Sequence, residues 1–163
     1  MYLYFSAMQL KDTLLSELIE IVERNISRDD LFLVDIDLKT GGKNPVLSVY
    51  IESDKGGIKL DDCAEISRNL QTVIEANELL GKTFTLNVSS PGLDRPLKLK
   101  RQYILNIGRT ARVKTRLGDY DKVSMVEGKL INTEDNGIEL ESKSGKTYIE
   151  FDKIIETKIV PSV

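Results

Sequence analysis

Asn87-Val88-Ser89-Ser90-Pro91-Gly92-Leu93-Asp94-Arg95-Pro96-Leu97-Lys98 is the stretch at which the 163-residue chain changes character. Upstream of it, long apolar stripes at three- and four-residue steps mix with short alternating runs. Downstream, the pattern is mostly alternation broken by turns. Pro91 presets φ at the second position of a turn and Gly92 can take positive φ at the third, which predicts a type II turn leaving a strand. Pro96 restrains Arg95 to an extended shape. The segment therefore reads as a stiff connector over 91–98 between an N-terminal domain, 1–90, and a C-terminal domain, 99–163. Ser90, Pro91, Gly92 and Pro96 set its shape. Such a connector is either a rigid joint alone or a joint that also holds Asp94 and Arg95 in a fixed place.

Working outward toward the N-terminus, Phe84 to Ser89 predicts a strand with Phe84, Leu86 and Val88 inward. A helix is expected from Leu60 to Leu79, with Cys63, Ile66, Leu70, Val73 and Ile74 on its stripe. Asp61 and Asp62 stand at its start, where carboxylates complement the helix dipole. Leu31 to Lys39 and Val46 to Glu52 alternate around the turn cluster Thr40 to Pro45, which predicts an antiparallel hairpin. Phe32, Val34, Ile36 and Leu38 are expected on one face of the first strand, and Leu47, Val49 and Ile51 on one face of the second. A first helix spans Ala7 to Ile26 on the stripe Leu10, Leu14, Leu18, Ile21 and Val22. Met1 to Ala7 joins no periodic pattern and is expected to be dispensable, Met8 offering a second start. The first half thus reads α-β-β-α-β, two helices on one face of a small sheet, an α+β domain of two layers.

Toward the C-terminus, a short helix near Lys98 to Leu105 precedes five short strands: Arg109–Arg116, Val123–Ile131, Ile138–Glu141, Thr147–Phe151 and Glu156–Val160. Asp135-Asn136-Gly137 and Ser144-Gly145-Lys146 are hairpin turns, and Asp152 to Ile155 a single tight turn. So many short strands suggest an all-β small barrel that closes its own edges.

Composition removes several function classes. Hydrophobic residues are 40% and charged ones 30%, ordinary for a globular chain. Uninterrupted apolar runs reach about four residues, as at Leu31 to Val34, against the ~20 of a membrane span. No secretory leader pattern opens the chain, which is read as cytoplasmic and soluble. With no His and the single Cys63, neither a Cys/His zinc site nor a His-dependent nucleophile system can be built. Gly81-Lys82-Thr83 and Gly145-Lys146-Thr147 end like phosphate loops, but Ala76 and Leu140 stand where such loops need a glycine. The pairs Asp29-Asp30, Asp61-Asp62 and Glu134-Asp135 read as caps and turn residues, and Cys63 as a small core hydrophobe. No enzyme, no metal and no cofactor is expected.

Charge is distributed unevenly. Residues 1–90 carry nine Lys and Arg against fifteen Asp and Glu, a balance of −6; residues 91–163 carry fourteen against eleven, a balance of +3. From Arg95 to Arg116 there are eight basic residues and no acid. Arg112, Lys114 and Arg116 lie two apart, so they share one face of a strand while Ala111 and Val113 take the other. With Lys98 and Arg101 they form a candidate surface for phosphate or an acidic protein. The bland alternative is a solvated exterior. Tyr103 and Tyr120 flank the patch without forming a stacking platform, so backbone contact is expected in preference to base reading.

The Asn87–Lys98 segment strongly resembles the signature of the bacterial ribosome maturation factor RimP family. Gly108 to Thr115 and Leu60 to Arg68 are similar to that family too, in order and with compatible spacing from about Met8 onward. The resemblance implies that the second domain is an Sm-like or SH3-like barrel. It implies a monomeric, non-catalytic factor that assists assembly of the 30S subunit by binding its precursor, small-subunit ribosomal protein and ribosomal RNA included. Asp94, Arg95, Lys98, Arg101, Arg112, Lys114 and Arg116 would then be its contact residues. An Sm-like RNA chaperone or regulator acting on messenger or small RNA is the alternative.

Overall fold

A computed structural model describes residues 2–118 and 122–162. The chain divides into two compact units, 1–91 and 92–163.

The first unit runs α1 (Tyr2–Arg24), β1 (Leu31–Lys39), β2 (Val46–Ser53), α2 (Leu60–Ala76) and β3 (Thr85–Ser89). β1 and β2 form the antiparallel hairpin, and β3 lies parallel to β2, giving the order β1-β2-β3. A parallel neighbour requires a crossover, and α2 supplies it. α1 begins at Tyr2, five residues before the expected start, so residues 2–7 are helical rather than an unpatterned lead-in. Leu10 is 68% exposed, and the apolar stripe takes hold one turn later, at Leu14, Leu15, Leu18, Ile21 and Val22. Asn25 stops the helix by donating its Nδ2 to Ile21 O at 2.7 Å. α2 ends three residues short of Leu79: Asn77 Nδ2 reaches back to Val73 O, and Glu78 turns left-handed at φ 51°. That reversal tucks Leu80 into the core.

β1 departs from its simple alternation. The register runs Leu33↔Ile51 and then Asp35↔Tyr50, so Val34 is the extra residue of a β-bulge. One inserted residue inverts the phase. Leu31, Leu33, Ile36 and Leu38 pack on the core with Leu47, Val49 and Ile51, while Phe32 pairs with Glu52 on the opposite face. The expected set of Phe32, Val34, Ile36 and Leu38 is therefore split. Leu18, Leu47, Ile51, Leu70 and Ile74 are fully buried, each worth about 1.5–3 kcal/mol of apolar transfer.

The second unit runs α3 (Lys100–Leu105), β4 (Thr110–Leu117), β5 (Lys122–Thr133), β6 (Gly137–Ser142), β7 (Gly145–Glu150), a 3-10 turn at Phe151–Lys153, and β8 (Ile154–Ile159). The strands form one antiparallel sheet, β7-β6-β5-β4-β8. Gly128 on β5 faces Ala111 across the ladder, and a Cβ there would stand 2.7 Å from the backbone oxygen of Glu141. Closure of a barrel is not observed: among the described residues β7 and β8 do not pair. The 3-10 turn separates them, and side chains finish the core instead. Tyr103 of α3 meets Phe151 edge-on at 5.3 Å, with Leu97 and Ile154 against the same cluster.

No helix among the described residues is long and apolar enough to cross a membrane.

Candidate functional site

The basic strand is positioned by a strict alternation. Ala111, Val113 and Thr115 are fully buried, which turns Arg112, Lys114 and Arg116 outward. β4 is central, so both neighbours hold its register: Arg112 faces Glu127 and Lys158, Lys114 faces Met125 and Glu156, and Arg116 faces Val123. The acid-free run of sequence is thus not an acid-free surface. Arg112 Nε donates to Glu127 Oε2 at 2.8 Å, and Lys158 pairs with Glu156 at 3.4 Å. Each pair is about half exposed, a setting in which ion pairs contribute roughly 0–1 kcal/mol. Lys114 and Arg116, with Val123 and Met125 across the ladder, make up the more cationic and more apolar end of the face.

Asp94 arrives at this face from the connector. Leu93, Asp94, Arg112, Lys114, Met125 and Lys158, together with Glu156 and Ile159 to Pro161, line an open groove of about 390 Å3 in the second unit. The turn that aims Asp94 is not the expected type II turn at Pro91-Gly92. Gly92 does not take positive φ; the bend comes later, closed by Arg95 N–H on Gly92 O at 3.1 Å. Asp94 Oδ1 folds back over Gly92, so a Cβ there would displace the Asp94 carboxylate. Pro91 closes the first unit, and residues 92–98, read from sequence as connector, lie within the second. Leu97 packs on its core and donates its N–H to Thr157 O at 2.8 Å.

Of the seven contact residues named from sequence, the groove collects Asp94, Arg112 and Lys114. Arg116 continues the same face one step further along β4. Arg95, Lys98 and Arg101 do not line the groove; Lys98 is exposed just before α3, and Arg101 is half-buried on it. Tyr103 is not at the rim. It is 5% exposed, its hydroxyl donates to Thr157 Oγ1 at 2.8 Å, and burial raises its pKa, which keeps the donor protonated. Tyr120 lies outside the described residues. Lys158, Glu156 and Met125 were not singled out, although the alternation of β8 and β5 carries them.

Gln102 fixes the start of α3. Its buried Oε1 accepts both Lys98 N–H at 2.7 Å and Leu99 N–H at 2.9 Å, closing the first turn.

The acidic pairs expected to be caps and turns include one ion cluster in the first unit. Arg28 donates to both Asp30 oxygens, at 3.0 and 2.7 Å, and to Asp62 at 2.7 Å, tying the α1–β1 turn to the start of α2. The Arg28 hydrogen bonds, joined by Ser53 Oγ at 2.9 Å, hold Asp30 down to about 2 against the opposing pull of burial. Cys63 is partly buried, and burial, with the Asp62 charge beside it, pushes its thiol up.

Residues 21–94 match the family model described as the RimP N-terminal domain. The match enters within α1, covers both strands of the hairpin, α2 and β3, and ends on Asp94, the connector residue that reaches the groove. That match covers 74 of the 163 residues and makes the first unit similar to the RimP N-terminal domain.

Proposed function

We propose that the protein assists assembly of the 30S subunit by binding its cytoplasmic precursor as a monomer, holding one conformation of the particle without any covalent chemistry. In this reading the second unit works as an Sm-like or SH3-like module. Its strand order β7-β6-β5-β4-β8 supports that reading, with α3, Phe151 and Leu97 filling in where strand closure is absent. The observation that carries the proposal is the outer face of β4, where Arg112, Lys114 and Arg116 stand clear of a fully buried inner row. They meet phosphate oxygens or acidic side chains of the particle, and Asp94 orients the groove beside them. Arg95, Lys98 and Arg101 extend the contact along the connector and α3.

The test is sedimentation with immature small subunits over a salt series. Lys114→Glu with Arg116→Glu reverses two charges and spares Arg112, whose reversal would face Glu127 with a second carboxylate. Binding should be lost while the second unit stays folded, because both side chains point away from the core. Lys114→Ala or Arg116→Ala alone should weaken binding modestly and lower the salt dependence by about one phosphate contact. Unchanged affinity and salt slope in the double variant would reduce this face to solvated surface. Tighter binding to naked RNA than to the particle would favour the RNA-chaperone alternative.

A further inference from the structure

The two sheets end in four edge strands, and three of them are defended. β1 carries the Val34 bulge together with Asp35, Asp37 and Lys39. β7 carries Lys146 and Glu150. β8 carries a register shift, Glu156 and Lys158, and its Thr157 oxygen already accepts the Leu97 N–H. Bulges, charges and capping segments are the usual means of keeping an edge from pairing with a foreign strand. β3, Thr85-Leu86-Asn87-Val88-Ser89, has none of them: no charge, no proline, no bulge, and an unbroken five-residue register against β2.

The ladder shows which backbone groups this edge offers. Thr85 N–H donates toward β2, to Pro45 O at 2.9 Å. In a parallel ladder alternate residues turn the same way, so Thr85, Asn87 and Ser89 serve β2, while Leu86 and Val88 turn their N–H and C=O outward. Among the described residues no strand pairs there. The Leu86 and Val88 side chains remain only partly covered where they meet the core.

We infer that β3 accepts an extended, basic protein segment as a fourth strand of the first unit. Strand addition supplies affinity through main-chain bonds and specificity through alternate side chains. Apolar residues at every second position of the incoming strand would finish covering Leu86 and Val88. Charge selects the occupant. The first 90 residues carry a balance of −6, and the face of the sheet away from the helices, toward which the alternate side chains of an incoming strand would turn, carries Asp35, Asp37 and Glu52 against Lys39. A second copy pairing edge to edge would bring two such acidic units together, whereas a Lys- or Arg-rich strand is attracted. This surface is separate in sequence and in chemistry from the cationic β4 face and does not depend on it.

The test uses the full chain and an acetylated Lys-Val-Lys-Val-Lys-Val-Lys peptide, with amide exchange read residue by residue. Exchange at Leu86 and Val88 should slow at least tenfold with the peptide. It should not change with the Glu-Val counterpart, nor with a peptide carrying proline at its second valine. Asn87→Lys puts a cation on the exposed side of the edge without touching the core and should weaken peptide binding at least tenfold. Val88→Pro removes an outward N–H at an edge, where proline is tolerated, and should abolish protection if its thermal transition is retained. Lys114→Glu with Arg116→Glu should bind the peptide normally, so failure of the β4 reading and failure of this one are distinguishable. Equal exchange with and without peptide would overturn the inference. So would a concentration-dependent dimer that Asn87→Lys dissolves, which would assign the edge to a second copy.

Discussion

The two units build their cores by different means. The first packs two amphipathic helices on one face of a three-stranded sheet, and its core cluster is wholly aliphatic, from Leu18 to Leu80. The second has a larger sheet and only a six-residue helix to cover it. It fills its centre with directional groups: Tyr103 bonded to Thr157, Thr115 Oγ1 donating to Lys153 O at 2.9 Å, and Gln102 capping its own helix. A core of methyl groups tolerates shifts of packing, whereas a buried hydroxyl left without its partner loses about 1–3 kcal/mol. The first unit's stability therefore rests on volume, and the second's rests in part on particular bonds.

The widest break in that comparison would come from dividing the chain. Separate fragments of residues 1–91 and 92–163 should each show a cooperative thermal transition and a dispersed NMR spectrum, since each has its own core. An unfolded 92–163 fragment would mean the second core is incomplete alone. Within the full chain, Leu70→Ala should lower the first unit's stability by about 2–5 kcal/mol, because it empties a fully buried site. Denaturant unfolding that resolves two transitions should show the second unmoved. Tyr103→Phe keeps the ring against Phe151 but strands Thr157 Oγ1, so it should lower the second transition by about 1–3 kcal/mol. An equal shift in both transitions would dissolve the distinction between the units.

The smallest effect belongs to the Arg28 cluster. Asp30 is held below its ordinary value, down to about 2, so its contribution is complete above the unfolded carboxylate range near 4. It is lost as pH falls from about 4 toward 2. Asp30→Asn should lower the first unit's stability at neutral pH, where that contribution is complete, and flatten the acid limb, so that the two pH–stability profiles converge toward pH 2. An acid limb of unchanged slope would show that Asp30 is not coupled to folding.

Much of this molecule could be read from residue order. The helix stripes, the hairpin around Gly41-Gly42, the parallel third strand's inward Leu86 and Val88, and the five short strands after Lys98 all appear where local periodicity placed them, within a few residues at their ends. The outward row of Arg112, Lys114 and Arg116 also follows from alternation alone, because β4 is central and two neighbours hold it in register. β1 shows the limit. It is an edge strand with one neighbour, and a single bulged residue at Val34 inverted the faces that strict alternation assigns.

Tertiary structure alone decided three things. It brought Glu127 and Glu156 beside cations that have no acidic neighbour along the chain, because cross-strand partners are set by register across sequence separations that periodicity does not encode. It moved Tyr103 from an expected rim into the core, because a sheet that does not close by strand pairing must be covered by whatever side chain the nearest helix presents. And it folded the Asp94 carboxylate back over Gly92, whose backbone is not left-handed, so that a Cβ there would displace the Asp94 side chain.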